Sequence, residues 1–92
     1  MRRVIRTQTY QKDLDAIEAR IAEDNPGAGV DMWLHIDDQV ALLTDPNFPR
    51  KRGRVKGTFE LVAHPNYIVI LEEDATTVVV LNVVHARQKW PQ

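Results

Sequence analysis

Apolar positions along this chain keep two different periods, and the change between them divides it into two halves. In the first half Tyr10, Leu14, Ile17 and Ile21 recur at steps of four, three and four, one stripe of an α-helix. Asp13, Glu18, Arg20 and Glu23 fall mostly off that stripe, toward water. Thr7 or Thr9 stands where a capping hydroxyl would. Asn25-Pro26-Gly27 predicts the end of this helix, because Pro26 disfavours helical geometry in Asn25 and Gly27 frees the turn. A second stripe, Val30, Trp33, Leu34, Val40 and Leu43 with Ile36 widening it, predicts a second helix. So short a turn between them predicts an antiparallel αα-hairpin. In Asp45-Pro46-Asn47-Phe48-Pro49, two prolines forbid further helix.

The second half reads as strands. Phe59–Ala63, Tyr67–Glu72 and Thr77–Val84 are rich in β-branched and aromatic residues, and short polar segments separate them, as in antiparallel hairpins. Thr77–Val84 is apolar at nearly every position, which predicts a central strand covered on both faces. Asn82, which breaks the apolar run after Thr77, is expected at a strand end or beside a polar partner. Val4-Ile5 predicts a short first strand. The sum is a βααβββ chain of the α+β class, a twisted, mainly antiparallel sheet with an N-terminal helical hairpin packed on one face, and one domain over residues 1–92.

Composition narrows the function classes. An apolar fraction of 43% with 27% charged residues is that of a folding, non-disordered chain. Without cysteine, neither a disulfide framework nor a thiolate metal site is available. The basic start Met1–Arg6 has no apolar stretch behind it, and runs such as Val78–Leu81 are too short to span a membrane, so a cytoplasmic protein is expected. The net charge of −1 hides a strong asymmetry. Tyr10–Asp45 holds nine acids against two bases, whereas Arg50–Lys56 holds five bases and no acid. Such polarity selects partners rather than folds.

Candidate chemistry is sparse. The three histidines, His35, His64 and His85, form no HxH or HxxxH pair, so neither a metal nor a cofactor is expected. There is no serine to act as a nucleophile. Tyr10 and Trp33, at helical spacing among aliphatics, read as core. The run Arg50–Lys56 lacks interleaved aromatics and reads first as a solvated loop; sequence-specific nucleic-acid binding is not expected. Trp90-Pro91 reads as a lid folded back on the domain, with an exposed binding anchor as the alternative.

The ordered combination of Tyr10-x-x-Asp13-Leu14-x-x-Ile17, Asn25-Pro26, Gly53-Arg54-Val55-x-Gly57-Thr58-x-Glu60-Leu61-Val62 and Val84-His85-x-Arg87-Gln88-x-Trp90-Pro91 resembles the RelE/ParE superfamily of small bacterial toxins, the plasmid stabilisation proteins. The resemblance covers nearly the whole chain and implies the toxin of a type II toxin–antitoxin pair. It leaves the activity to be read from the site. The RelE-like branch cleaves messenger RNA in the ribosome, using basic side chains on the sheet and an acid/base residue near the C-terminus. Here the corresponding positions are Glu60, Val62 and Ile68, with only Arg87 basic, and Phe59–Val84 contains no lysine or arginine. The ParE-like branch, which binds DNA gyrase without a catalytic cluster, is the closer match, although Phe59 stands where many relatives have arginine. The expectation is a non-catalytic gyrase inhibitor neutralised by a small antitoxin; the alternatives are an mRNA interferase and a degenerate, non-toxic interaction module. The resemblance makes Arg54, Glu60, His85, Arg87 and Trp90 candidate contacts to target or antitoxin. Asp13, Glu18 and Glu23 become candidates for a basic antitoxin segment laid on the helices.

Overall fold

The computed structural model describes residues Met1–Pro91. In chain order these form β1 (Arg3–Arg6), α1 (Gln8–Ala22), α2 (Pro26–Ala41), a 3-10 turn (Leu42–Thr44), β2 (Lys51–Arg52), β3 (Phe59–His64), β4 (Tyr67–Glu73) and β5 (Thr77–His85). The five strands make one sheet in the order β1-β5-β4-β3-β2. Only the β1–β5 pair is parallel. The helical hairpin lies on one face, α1 against β5 and α2 against β3.

Local chemistry explains the helix ends. Thr7 is the cap of α1, its hydroxyl accepting the Tyr10 N–H at 3.2 Å. Asn25 caps α2 by accepting the Ala28 N–H at 3.1 Å, with Pro26 in the first turn, where its missing N–H costs nothing. Gly29 lets the helices approach: a Cβ there would stand 2.7 Å from the Glu18 carbonyl oxygen.

Tyr10, Leu14 and Ile17 of α1 are buried as expected, and α2 is turned relative to its predicted stripe. Its buried positions are Gly29, Ile36 and Val40, continued by Leu43, while Val30 and Leu34 are about half exposed. The close contact at Gly29 sets this rotation, since a helix approaching on its glycine side cannot also bury Val30. Trp33 packs at the core margin and donates its indole N–H to Asp15 at 3.0 Å.

The sheet corrects two expectations. A fifth strand, β2, is formed by two residues of the basic run, Lys51 and Arg52, pairing with Glu60 and Phe59. And β5, though interior, is not covered evenly on both faces. A register shift pairs Leu71 with Val80 but Ile70 with Asn82, so Leu81 is bulged out of the ladder. Val78, Val80 and Val83 thereby face the helices, and Val84 packs on the opposite side with Leu81 beside it. The unbroken apolar run is an alternating strand carrying one extra residue. The strand buried along both faces is β4, whose residues Tyr67–Leu71 are all buried.

Buried polar groups pin the ends. Arg2, 7% exposed, pairs with Glu73 and donates to the Leu43 carbonyl at 3.1 Å. Arg50 reaches the same Glu73 carboxylate at 2.7 Å, tying the segment after the helices to the end of β4. Burial works against ionisation of Glu73, but hydrogen bonds from Arg50 and Arg2 outweigh it and hold its pKa below the usual carboxylate value. Asp37 accepts from both the Tyr10 hydroxyl (2.9 Å) and Arg6 (2.8 Å). Burial, then that carboxylate, raise the Tyr10 pKa far above its ordinary value.

Candidate functional site

Alternation along the strands assigns each residue to one of two faces. Leu61, Ala63, Val69, Leu71, Val78, Val80 and Val83 join the core beneath the helices. The opposite face has no helix on it. Ile68, Ile70 and Val84 form a second, separate apolar cluster there, with Leu81, Ala86 and Trp90 packed against it. Val62, on the same side of β3 as Glu60, is 53% exposed. This outer face is therefore apolar, and the C-terminal tail is folded onto part of it.

Glu60 lies on this face, across from Ile70, and is only 1% exposed. One carboxylate oxygen accepts the Arg54 N–H at 2.9 Å, and the Arg54 side chain lies 3.8 Å away. Arg54 also donates to the Trp90 carbonyl at 3.1 Å, so it clasps the tail to the β2–β3 loop. Glu60 Oε1 and the Trp90 indole nitrogen are buried and make no hydrogen bond within the described residues. Leaving such groups unpaired costs about 1–3 kcal/mol each, so the tail covers this face with a reduced net gain.

Where β1 ends at Arg6, β5 continues with no neighbouring strand on that side. The edge borders a groove of about 560 Å³ between α1 and the tail, reached by Asp13, Arg20, His85, Gln88 and Trp90. Two side chains take the place of a neighbouring strand. Asp13 accepts the Val83 N–H at 3.0 Å and the Asn82 amide at 3.2 Å, and Gln88 accepts the His85 N–H at 3.4 Å. Asn82 thus meets the polar partner its composition demanded.

Arg54, Glu60 and Trp90 come together on the outer face, while His85 lies at the groove with Arg87 just beyond it. The His85 Nδ1 accepts the Arg87 N–H at 3.0 Å, and Arg87 joins no ion pair among the described residues. The helix acids do not act as one set. Asp13 is engaged by β5, Glu18 is half-buried and Glu23 is exposed. Asp13 is accordingly a fold-holding carboxylate rather than a free acid of the outer helix surface, because the open β5 edge needs an acceptor.

Sequence spacing also concealed a meeting of the histidines. His35, His64, Tyr67 and His85 form a row of rings at one end of the sheet, with successive centroids 5.8, 6.0 and 5.3 Å apart. His35 bonds the Ala63 carbonyl at 2.8 Å, and His64 Nδ1 accepts the Asn66 N–H. Among the described residues no group of three or more histidine or acidic side chains could hold a metal ion. No helix of the described residues is long and apolar enough to cross a membrane.

The outer face therefore carries apolar residues, one buried carboxylate and a clasped tail, and β3 to β5 contribute no lysine or arginine. Residues 4–90 match the family profile described as the ParE toxin of the type II toxin–antitoxin system parDE. The chain belongs to the ParE toxin family. Y4kP of Sinorhizobium fredii, named a candidate toxin, is 35% identical over 79 residues, spanning 86% of this chain and 82% of that protein. The chromosomal ParDE system of P. aeruginosa includes a chain of the same fold, at a TM-score of 0.78 and 20% identity, covering 92% of this chain and 96% of that one. The RelBE2 toxin–antitoxin complex of Mycobacterium tuberculosis gives 0.57 at 27% identity, over 95% of this chain and 93% of that one.

Proposed function

We propose that this type II toxin binds a cognate antitoxin and acts on DNA gyrase by surface recognition, as a cytoplasmic inhibitor that catalyses no reaction itself. The observation that carries this reading is the outer sheet face. It is built of Ile68, Ile70 and Val84, buried beneath Trp90, with Leu81 beside them, Val62 exposed and Glu60 buried, and β3 to β5 contribute no lysine or arginine. A carboxylate in place of cations repels a scissile phosphate, whereas an apolar patch with charged margins suits docking to a protein. Arg54 and Trp90, joined beside this face, with His85 at the groove and Arg87 just beyond it, are the proposed contacts.

The antitoxin is a separate matter from the target. The neighbours of known structure include toxin–antitoxin complexes, and a β5 edge held only by the Asp13 and Gln88 side chains, beside a groove of about 560 Å³, suits an extended partner segment that displaces them. Supercoiling of relaxed plasmid by purified gyrase tests the target. Loss of supercoiling on adding the protein, with messenger RNA left intact in a translating extract, is the expected result. Cleaved message would instead favour a RelE-like activity, and inertness in both assays an interaction module without toxicity.

A further inference from the structure

Charge is sorted by place in this molecule. The four ion pairs among the described residues take up Arg2, Arg6, Arg50 and Arg54. Lys51, Arg52 and Lys56 of the β2–β3 segment and Arg87 and Lys89 of the tail are exposed and enter none of them. Glu60 is the one acid within Arg50–Leu61, and it is buried beneath Arg54. The clasp from Arg54 to the Trp90 carbonyl fastens the tail beside the β2–β3 loop at the edge of the sheet.

The loop within this cluster is built and concave. Gly53 N–H donates to the Thr58 carbonyl at 2.8 Å, and Thr58 N–H to the Val55 carbonyl at 3.0 Å, closing it into a compact turn. A Cβ at Gly53 would collide with the Thr58 side chain, so the closure requires glycine there. Gly57, at φ 87°, opens onto free space. Between them lies a hollow of about 110 Å³, lined by Arg52, Gly53, Lys56, Gly57, Thr58 and Phe59. Two cations and no acid border it.

We infer that this loop and tail form a binding surface for the phosphodiester backbone of nucleic acid, with a phosphate seated between Arg52 and Lys56 and its neighbours met by Lys51, Arg87 and Lys89. A charge run alone is ordinarily a solvated loop. The hollow flanked by two bases, and the second basic segment fastened beside it, distinguish this one. Contacts of this kind carry no sequence information and release counterions. The inference does not rest on the gyrase reading, because its test contains no gyrase.

The test is fluorescence anisotropy of the full chain with a labelled mixed-sequence DNA duplex, repeated with RNA of the same sequence, from about 50 to 200 mM salt. Binding to either polymer, with a log–log salt slope approaching about −4 for five phosphate contacts, is expected. Arg52→Glu with Lys56→Glu, and separately Arg87→Glu with Lys89→Glu, should each weaken binding roughly tenfold or more at low salt and flatten the slope by about 2. The milder pair Arg52→Gln with Lys56→Gln should act in the same direction. Lys12→Glu on α1 should leave affinity within about twofold. The inference is overturned by absent binding at the lowest salt, by a slope that the loop and tail variants do not change, or by an equal loss in the α1 control. It is also overturned if polyglutamate displaces the probe as well as unlabelled duplex does, since the surface would then be a general acidic-protein site.

Discussion

Glu73 shows how much of this small fold hangs on single side chains. Its carboxylate is nearly inaccessible and holds Arg2 from the N-terminus and Arg50 from the segment after the helices. Glu73→Gln strands two guanidinium groups, one of them buried, and should cost on the order of 3 kcal/mol in chemical denaturation at neutral pH. The sign of the pH effect follows from the lowered pKa. The carboxylate's contribution is complete above its ordinary value of 4.5 and is lost as pH falls through the lower folded value. The gap between wild type and Glu73→Gln should therefore narrow below about pH 4.5, and a gap constant with pH would contradict the assignment. Gly29 is the second such residue. Gly29→Ala gains helix propensity of about 1 kcal/mol, yet its methyl would meet the Glu18 carbonyl. Because backbone cannot yield as a side-chain tip can, a net loss of roughly 1–3 kcal/mol and a lower melting temperature are expected.

Among the elements, the C-terminal tail is held most lightly. No strand includes it, its carbonyl clasp from Arg54 is exposed, and it closes over two buried polar atoms without partners. What keeps it down is Trp90 against Ile68, Ile70 and Val84. Trp90→Ala should cost roughly 2 kcal/mol and raise binding of an apolar dye such as ANS, with the far-ultraviolet circular dichroism nearly unchanged. Dye binding equal to wild type would show that the tail does not cover this face in solution. The bulge in β5 is the other decisive element. It alone lets a run of consecutive apolar residues serve two faces while Asn82 stays at the edge beside Asp13.

Across the whole molecule, acids are concentrated on the helical side, and five of the eight bases outside the ion pairs of the described residues lie on the β2–β3 segment and tail, the others being Arg3, Lys12 and Arg20. Two charged partners can then approach from different directions without competing for one surface. The acidic helices suit a basic antitoxin segment, but the geometry revises which acids to test. Asp13 supports β5, so replacing it would confuse folding with binding. Glu18→Gln with Glu23→Gln is the cleaner variant. It should weaken the antitoxin complex several-fold at low salt and little at high salt, measured by titration calorimetry. Affinity unchanged at low salt would remove the helices from the interface.

By itself the sequence determined the helical hairpin, a capping threonine at its start, the three long strands and the lack of bases along Phe59–Val84. These are local properties, set by period, propensity and residue type. The rotation of α2 was not legible, because it depends on a glycine meeting a backbone carbonyl of another helix. Nor was the bulge, since apolar residues at every position satisfy either register until cross-strand pairing chooses one. The burial of Glu60 and Glu73, the histidine row and the joining of two basic segments by Arg54 all link residues far apart in the chain. Only tertiary packing could decide those, because it alone fixes which distant charges share a solvent-poor space and which remain in water.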